Sequence, residues 1–424
     1  MSFTVRADRR FIRPGHRSKR HVVASVTAPE QRREHPRPPV NVAFVLDRSG
    51  SMSGQKIALA RQAVNRAVQG LDPRDRFAVV VYDDQIDVLV ESTAASGEAK
   101  RMVLGRLAAT DARGSTNLAE GWLRGCEQVS SNLDGETVGR CLLLTDGLAN
   151  VGITDPVELE HHARELRSRG VTTTTFGVGE DFDDALLRRM ANAGGGNFYF
   201  IEHAAQIPDL LASELGEALD IVVRDAVLEI ETDPRVHVEP LTWKHAESHE
   251  GLTQVMLGDL VSAQMLDVVL RFGFPYGPLG GTIRATLRVR DRDGLLPSMP
   301  EKLVFEFASD EVNDKQPRDR EIDRLVASLE AAKVREEAIY RNRLGEFDQA
   351  RQGLEGAARR VLSYAGDDPE LLAIAGELQR EADQFSREVR EMDRKKLYFS
   401  ASNVASMRGP QGQAKRNRPP QDAR

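Results

Sequence analysis

The run Val42–Ala43–Phe44–Val45–Leu46–Asp47–Arg48–Ser49–Gly50–Ser51 decides the fold, because five apolar residues end abruptly in a carboxylate and two hydroxyls. An uninterrupted apolar stretch of this length, ending in turn-forming residues, reads as a strand buried on both faces. A helix follows at once: between Gln55 and Val68 the apolar residues Ile57, Ala60, Val64 and Val68 fall on one face, and Gly70 stops it. The same alternation continues downstream. Phe77–Tyr82 and Ile86–Val90 read as a hairpin around Asp83 and Asp84, and Cys141–Leu144 and Val171–Phe176 as two buried strands. Between those two strands lies a helix capped by Asp155, with Pro156 in its first turn. Asn197–Ile201 closes the set after Gly194, Gly195 and Gly196. Repeated strand, helix, strand units predict an α/β domain over residues 38–220, built on a mainly parallel sheet with helices on both faces.

Outside that domain the pattern changes. Val227–Glu231, Val236–Glu239, Thr253–Leu257, Met265–Phe272, Thr282–Arg290 and Lys302–Phe307 alternate apolar and polar residues, which predicts an antiparallel β-sandwich over 221–312. His21–Thr27 alternates in the same way but precedes the α/β domain, across a linker containing Pro36, Pro38 and Pro39. A lone strand leaves its backbone groups unpaired, so residues 1–37 are expected to join the later sandwich and make the α/β domain an insertion. Residues 318–398 read as helical. Ile322, Leu325, Val326 and Leu329 form one apolar stripe, and Phe347, Ala350, Leu354, Ala358 and Val361 another. A last helix is expected to carry Leu371, Leu378, Phe385 and Met392 at seven-residue spacing, with Ala375, Ala382 and Val389 between them. Residues 399–424, rich in Gly, Pro, Gln and Arg, are expected to form a disordered tail.

Composition narrows the function classes. The formal net charge of −7 gives no general attraction to nucleic acid or anionic lipid. Cys126 and Cys141, the two cysteines, stand in helix-like and strand-like surroundings and read as buried free thiols. Arg6, Arg9, Arg10, Arg13, Arg17, Lys19 and Arg20 interrupt any apolar run a signal peptide would need. No apolar stretch reaches membrane-spanning length. These features lead to the expectation of a soluble, cytoplasmic protein that contacts neither nucleic acid nor membrane.

Chemistry concentrates in three loops. Asp47, Ser49 and Ser51 follow the first strand, Thr116 lies in the Gly114–Ser115–Thr116–Asn117 loop, and Asp146 follows the strand ending at Leu144. In open α/β sheets the carboxyl ends of strands form the ligand crevice, so these residues can converge. Carboxylates and hydroxyls are hard donors suited to magnesium, manganese or calcium. Magnesium takes near-octahedral oxygen ligands at about 2.0–2.1 Å and keeps water readily. The Ser49–Gly50–Ser51 spacing would let two hydroxyls face one point along an extended loop, with Gly50 permitting a tight turn.

The Asp47–Arg48–Ser49–Gly50–Ser51 run, the loop from Gly114 to Leu118 and the Leu144–Thr145–Asp146–Gly147 run resemble the three metal-binding loops of von Willebrand factor A-type domains. The resemblance spans about Val40 to Leu219. Beyond it the chain is similar to bacterial proteins that add a β-sandwich and helices to such a domain, and more distantly to inter-alpha-trypsin inhibitor heavy chains and calcium-activated chloride channel regulators. It implies a Rossmann-like fold with a metal-ion-dependent adhesion site. Ser49, Ser51 and Thr116 would then bind Mg2+ directly, and Asp47 and Asp146 directly or through water, with Mn2+ or Ca2+ as alternatives. A partner protein's Asp or Glu carboxylate would complete the ion's shell.

Other readings compete with this one. Gly50, Gly54 and Lys56 partly match a phosphate-binding loop, but Gln55 and Ile57 stand where that pattern needs Gly and a hydroxyl residue. Ser49 replaces the second carboxylate of a haloacid-dehalogenase-like phosphotransferase. A metal-dependent hydrolase would need a base near the ion, for which Asp83, Asp84 and Asp111 are the candidates. His161 and His162 are adjacent on a helix and point apart, which suits solvation rather than shared ligation. Gly177, Gly179 and Gly194 to Gly196 lack dinucleotide-fingerprint spacing and read as turns. Gly345, Phe347 and Ala350 match part of one tetratricopeptide helix, which reads as packing because one repeat cannot build a solenoid. A structural scaffold, with the ion tying loops together, is the third class. The sequence favours a non-enzymatic binding module.

Overall fold

The computed structural model describes residues 2–30, 37–297 and 299–417. The chain divides into two compact units, Arg33–Ile221 and Met1–Arg32 together with Val222–Arg424.

In the first unit six strands form one sheet in the order Ile86–Ala94, Arg76–Tyr82, Val40–Asp47, Val138–Thr145, Val171–Val178, Gly195–Ile201. All neighbours are parallel except Ile86–Ala94, which runs antiparallel at the edge. Every residue of Val40–Asp47 and of Val138–Thr145 is buried, which accounts for the apolar runs Val42–Leu46 and Cys141–Leu144 within them. These two central strands are hydrogen-bonded neighbours. Val40–Asp47 connects onward to Arg76–Tyr82 on one side and Val138–Thr145 to Val171–Val178 on the other, so their carboxyl ends flank the topological switch point. Helix Leu118–Ser130 packs across five of the sheet strands, most closely on Val40–Asp47, Arg76–Tyr82 and Val138–Thr145. It is fixed by fully buried Trp122, whose indole N–H donates to Thr173 Oγ1 at 3.1 Å. Helix Pro156–Ser168 is capped by Asp155, which accepts from the Val157 and Glu158 N–H groups. Cys126 and Cys141 are buried free thiols.

In the second unit two sheets share one hydrophobic core. One, in the order Ser2–Ala7, Lys19–Thr27, Met265–Gly273, His237–Pro240, is antiparallel throughout. Strand Lys19–Thr27 lies between Ser2–Ala7 and Met265–Gly273, so neither of its edges is left open. The other has the order Ala246–His249, Leu252–Val261, Ile221–Thr232, Thr282–Arg290, Glu301–Phe307, Phe11–Ile12. Strands Ser2–Ala7, Phe11–Ile12 and Ala246–His249 are not individually legible in the sequence, where arginine density or shortness hides them. Helices Arg320–Arg343, Phe347–Ala365, Pro369–Phe385 and Glu391–Ala405 complete the unit. Ile322, Val326 and Leu329 join the same core. Among the described residues no helix is long and apolar enough to cross a membrane.

Two expectations for the C-terminal part need correction. The single last helix is interrupted after Phe385. Buried Asn342 reaches into the break, donating to the Phe385 and Arg387 carbonyls and accepting from the Val389 N–H at 3.1 Å. These bonds satisfy backbone groups that the break frees, so Val389 lies outside the helix and the seven-residue pattern stops at Phe385. Nor does disorder begin at residue 399. Helix Glu391–Ala405 runs on, Met407 and Ala414 are buried, and the Met265 N–H donates to the Lys415 carbonyl. The Gly and Pro content there serves turns, not disorder. The rest of the expected tail, residues 418–424, lies outside the described residues.

Candidate metal centre

Asp47 is the last residue of its strand, and Asp146 follows the last residue of the adjacent one. Both side chains are fully buried. Asp47 Oδ1 accepts the Ser49 N–H at 2.7 Å and Oδ2 accepts the Thr145 hydroxyl at 2.6 Å, so its partners are neutral donors. Burial pushes its carboxyl up to about 6; bonds from Thr145 and Ser49 oppose the shift, and the negative charge of Asp146 adds to it.

The serines come together by a tighter route than an extended loop. Gly50–Met52 is a 3₁₀ turn, with the Met52 N–H on the Ser49 carbonyl at 3.0 Å and the Ser53 N–H on the Gly50 carbonyl at 3.2 Å. That turn brings Ser49 Oγ within 3.1 Å of Ser51 Oγ. Ser51 donates to Asp146 Oδ1 at 2.6 Å. A hydroxyl that gives its proton to a buried carboxylate keeps its lone pairs for another ligand. Gly50 is not the conformationally demanding glycine, since a Cβ there would meet only the Gly114 carbonyl at an ordinary 3.7 Å. Gly114 is. It has φ +69°, and a Cβ would lie 2.1 Å from Asp84 Oδ1.

Thr116 reaches the same place. A Cβ added to Gly147 would sit 3.2 Å from Thr116 Oγ1 and 3.8 Å from Ser51 Oγ, so the third loop borders both hydroxyls. Asn150 holds the Thr116 backbone from both sides, accepting its N–H at 3.1 Å and donating to its carbonyl at 3.3 Å. The five residues Asp47, Ser49, Ser51, Thr116 and Asp146 therefore come together. Thr116 and Ser49 are buried and Ser51 is exposed, so the cluster opens to solvent on the Ser51 side.

Several contributing residues are not evident from the sequence. Buried Asp83 accepts from Arg48 Nε at 2.9 Å, Arg113 Nε at 2.8 Å and the Gln85 N–H at 2.7 Å, and its carbonyl accepts the Asn117 N–H at 2.9 Å. Burial would raise its carboxyl, but the Arg113, Gln85 and Arg48 bonds outweigh that and hold it below the usual range. Asp83 is thus a clasp for the Thr116 loop. It is not the free base that a hydrolase reading needs. Arg48 and Arg113 could have been suspected only as charges flanking the motif loops. Lys56, read as part of a false phosphate loop, places its ammonium on Asp146 Oδ2. His161 is exposed and its ring centroid lies 6.1 Å from that of His162, the rings tilted to each other. Among the described residues no group of three or more His, Cys, Asp and Glu side chains could hold a metal. Hydroxyls would therefore have to supply part of any donor set here.

Comparison with known proteins agrees with this geometry at the level of the fold. The sequence model of the von Willebrand factor type A domain matches residues 41–213. That span is a von Willebrand factor type A domain. Escherichia coli K12 YfbK is 32% identical over 207 residues, covering 48% of this chain and 36% of its own. Human inter-alpha-trypsin inhibitor heavy chain H4 is 34% identical over 164 residues, covering 37% of this chain and 18% of its own. This chain therefore spans well under half the length of either relative. A solved von Willebrand factor type A protein from Catenulispora acidiphila superposes with a TM-score of 0.70 at 18% identity, over 92% of this chain and 97% of that one. Its likeness extends the shared fold beyond the type A domain to both units.

Proposed function

We propose that this protein is a metal-dependent protein-binding module and not an enzyme, holding Mg2+ through Asp47, Ser49, Ser51, Thr116 and Asp146 and recognising an acidic side chain of a partner. The observation that carries the reading is the convergence of three hydroxyls on two fully buried carboxylates at a solvent-open edge. Two buried carboxylates side by side favour a cation, for which Lys56 contributes one charge at Asp146, and hard oxygen donors select a hard cation. Ser51 and Asp146 are pre-set, because the hydroxyl proton is already committed to the carboxylate. Asp47 is oriented by Thr145 and the Ser49 N–H. Thr116 is held by the Asn150 bridge and the Asp83 clasp. When bound, a divalent ion would supply a Lewis-acidic position open to a carboxylate oxygen, which is how domains of this type often engage protein partners.

The test is a metal-dependent capture of a partner by the intact chain. Capture should occur in Mg2+ and be lost in EDTA, with Thr116→Ala, and on neutralising one acidic residue of the partner, while circular dichroism stays unchanged. Undiminished capture by protein verified metal-free would place recognition on another surface.

A further inference from the structure

Lys56 is the second residue of helix Gln55–Gln69, which starts after Gly54 turns the chain at φ +77°. Its ammonium bonds Asp146 Oδ2 and lies 3.4 Å from the Ser51 carbonyl oxygen. The other oxygen, Asp146 Oδ1, takes the Ser51 hydroxyl at 2.6 Å. One carboxylate therefore serves two purposes at once: one oxygen orients a hydroxyl of the donor cluster, and the other holds a cation supplied by the protein. The neighbouring arginines are differently engaged, Arg48 and Arg113 both lying on Asp83.

We propose that Lys56 sets the charge of the ion site, so that the site holds a divalent ion loosely by itself and tightly together with an acidic partner. This deepens, and rests on, the ion-binding reading above. Two carboxylates would neutralise a divalent ion completely, leaving no net attraction for a further anion. With the Lys56 ammonium in contact with Asp146, the loaded site keeps one positive charge, which a partner carboxylate cancels. The ammonium also competes with the ion for the negative charge of Asp146, so the ion alone is held less firmly. Asp146 is fully buried and the Lys56 side chain is only 30% exposed, so solvent screens this interaction less than a surface pair. By linkage, whatever strengthens carboxylate binding to the loaded site strengthens ion binding by the same factor when carboxylate is present.

The test titrates Mn2+ into the full-length protein by calorimetry, in sodium chloride and in sodium acetate at equal ionic strength, with acetate as the carboxylate probe. In chloride, Lys56→Met should bind Mn2+ about tenfold more tightly than the unaltered chain. In acetate, the unaltered chain and Lys56→Arg should gain Mn2+ affinity, whereas Lys56→Met should gain severalfold less. Circular dichroism establishes that Lys56→Met is folded, and Lys56→Arg, which keeps the charge, supplies an independent comparison. Equal or weaker Mn2+ binding by Lys56→Met would overturn the proposal and leave Lys56 as a residue that positions Asp146. Absence of Mn2+ binding by the unaltered chain would overturn the ion-binding reading as well.

Discussion

Two of the buried-carboxylate clusters in the unit Arg33–Ile221 are built differently. Glu214, on helix Ile207–Ala218, accepts from the Thr174 hydroxyl at 2.7 Å, Asn197 Nδ2 at 2.9 Å and the Tyr199 hydroxyl at 2.8 Å. Three neutral donors from two adjacent strands satisfy one carboxylate, and they tie the helix to the last two strands of the sheet. At the other cluster Asp47 lies at the end of one strand and Asp146 just beyond the end of its neighbour, the charge of Asp146 adds to the upward push that burial gives Asp47, and the hydroxyl on Asp146 comes from exposed Ser51. The first cluster is closed and serves the fold. The second is charge-crowded and open, as a site poised for a cation would be.

The largest effect that separates the two is on stability. Glu214→Ala leaves three donors, two of them buried, without their acceptor and should cost about 2–4 kcal/mol, read by chemical denaturation, with divalent-ion affinity preserved. An equal loss of ion affinity would mean that the two clusters are coupled. A smaller effect sharpens the contrast through pH. The folded chain holds the Asp47 proton more tightly than the unfolded chain, so the contribution of Asp47 to metal-free stability is greatest below the ordinary carboxylate range and is lost as pH rises through about 6. The fall should amount to about 1–3 kcal/mol and vanish in Asp47→Asn. Ion binding needs the deprotonated form, so ion affinity should fall in the opposite direction, as pH drops below about 6. Thermal unfolding across this range, with and without Mg2+, checks both signs; a flat metal-free profile would contradict the burial of a charged Asp47.

Much of this was legible before the structure, for identifiable reasons. A strand buried on both faces, such as Val40–Asp47, must carry a long apolar run, and ligands gather where such strands end, so Asp47, Ser49, Ser51 and Asp146 stand out by position and chemistry, and Thr116, in a loop between two helices, by the motif around it. What stayed hidden depends on contacts between distant residues. Arg48, Asp83 and Arg113 form their clasp across 30 and 35 positions, and each alone looks like a solvated charge. Lys56 sits in a run whose glycines suggested phosphate, and only its approach to Asp146, 90 positions away, shows its partner. Asn342 breaks the last helix by bonding residues more than 40 positions on, which helical periodicity cannot register.

The most direct test of the central claim is calorimetric titration of the intact, metal-stripped protein with Mn2+ and Mg2+ at about pH 7.5, where Asp47 is ionised. The account predicts a single site that Asp146→Ala weakens by at least about a hundredfold while the fold survives. Equal affinity in Asp146→Ala, or binding at a different number of sites, would contradict it.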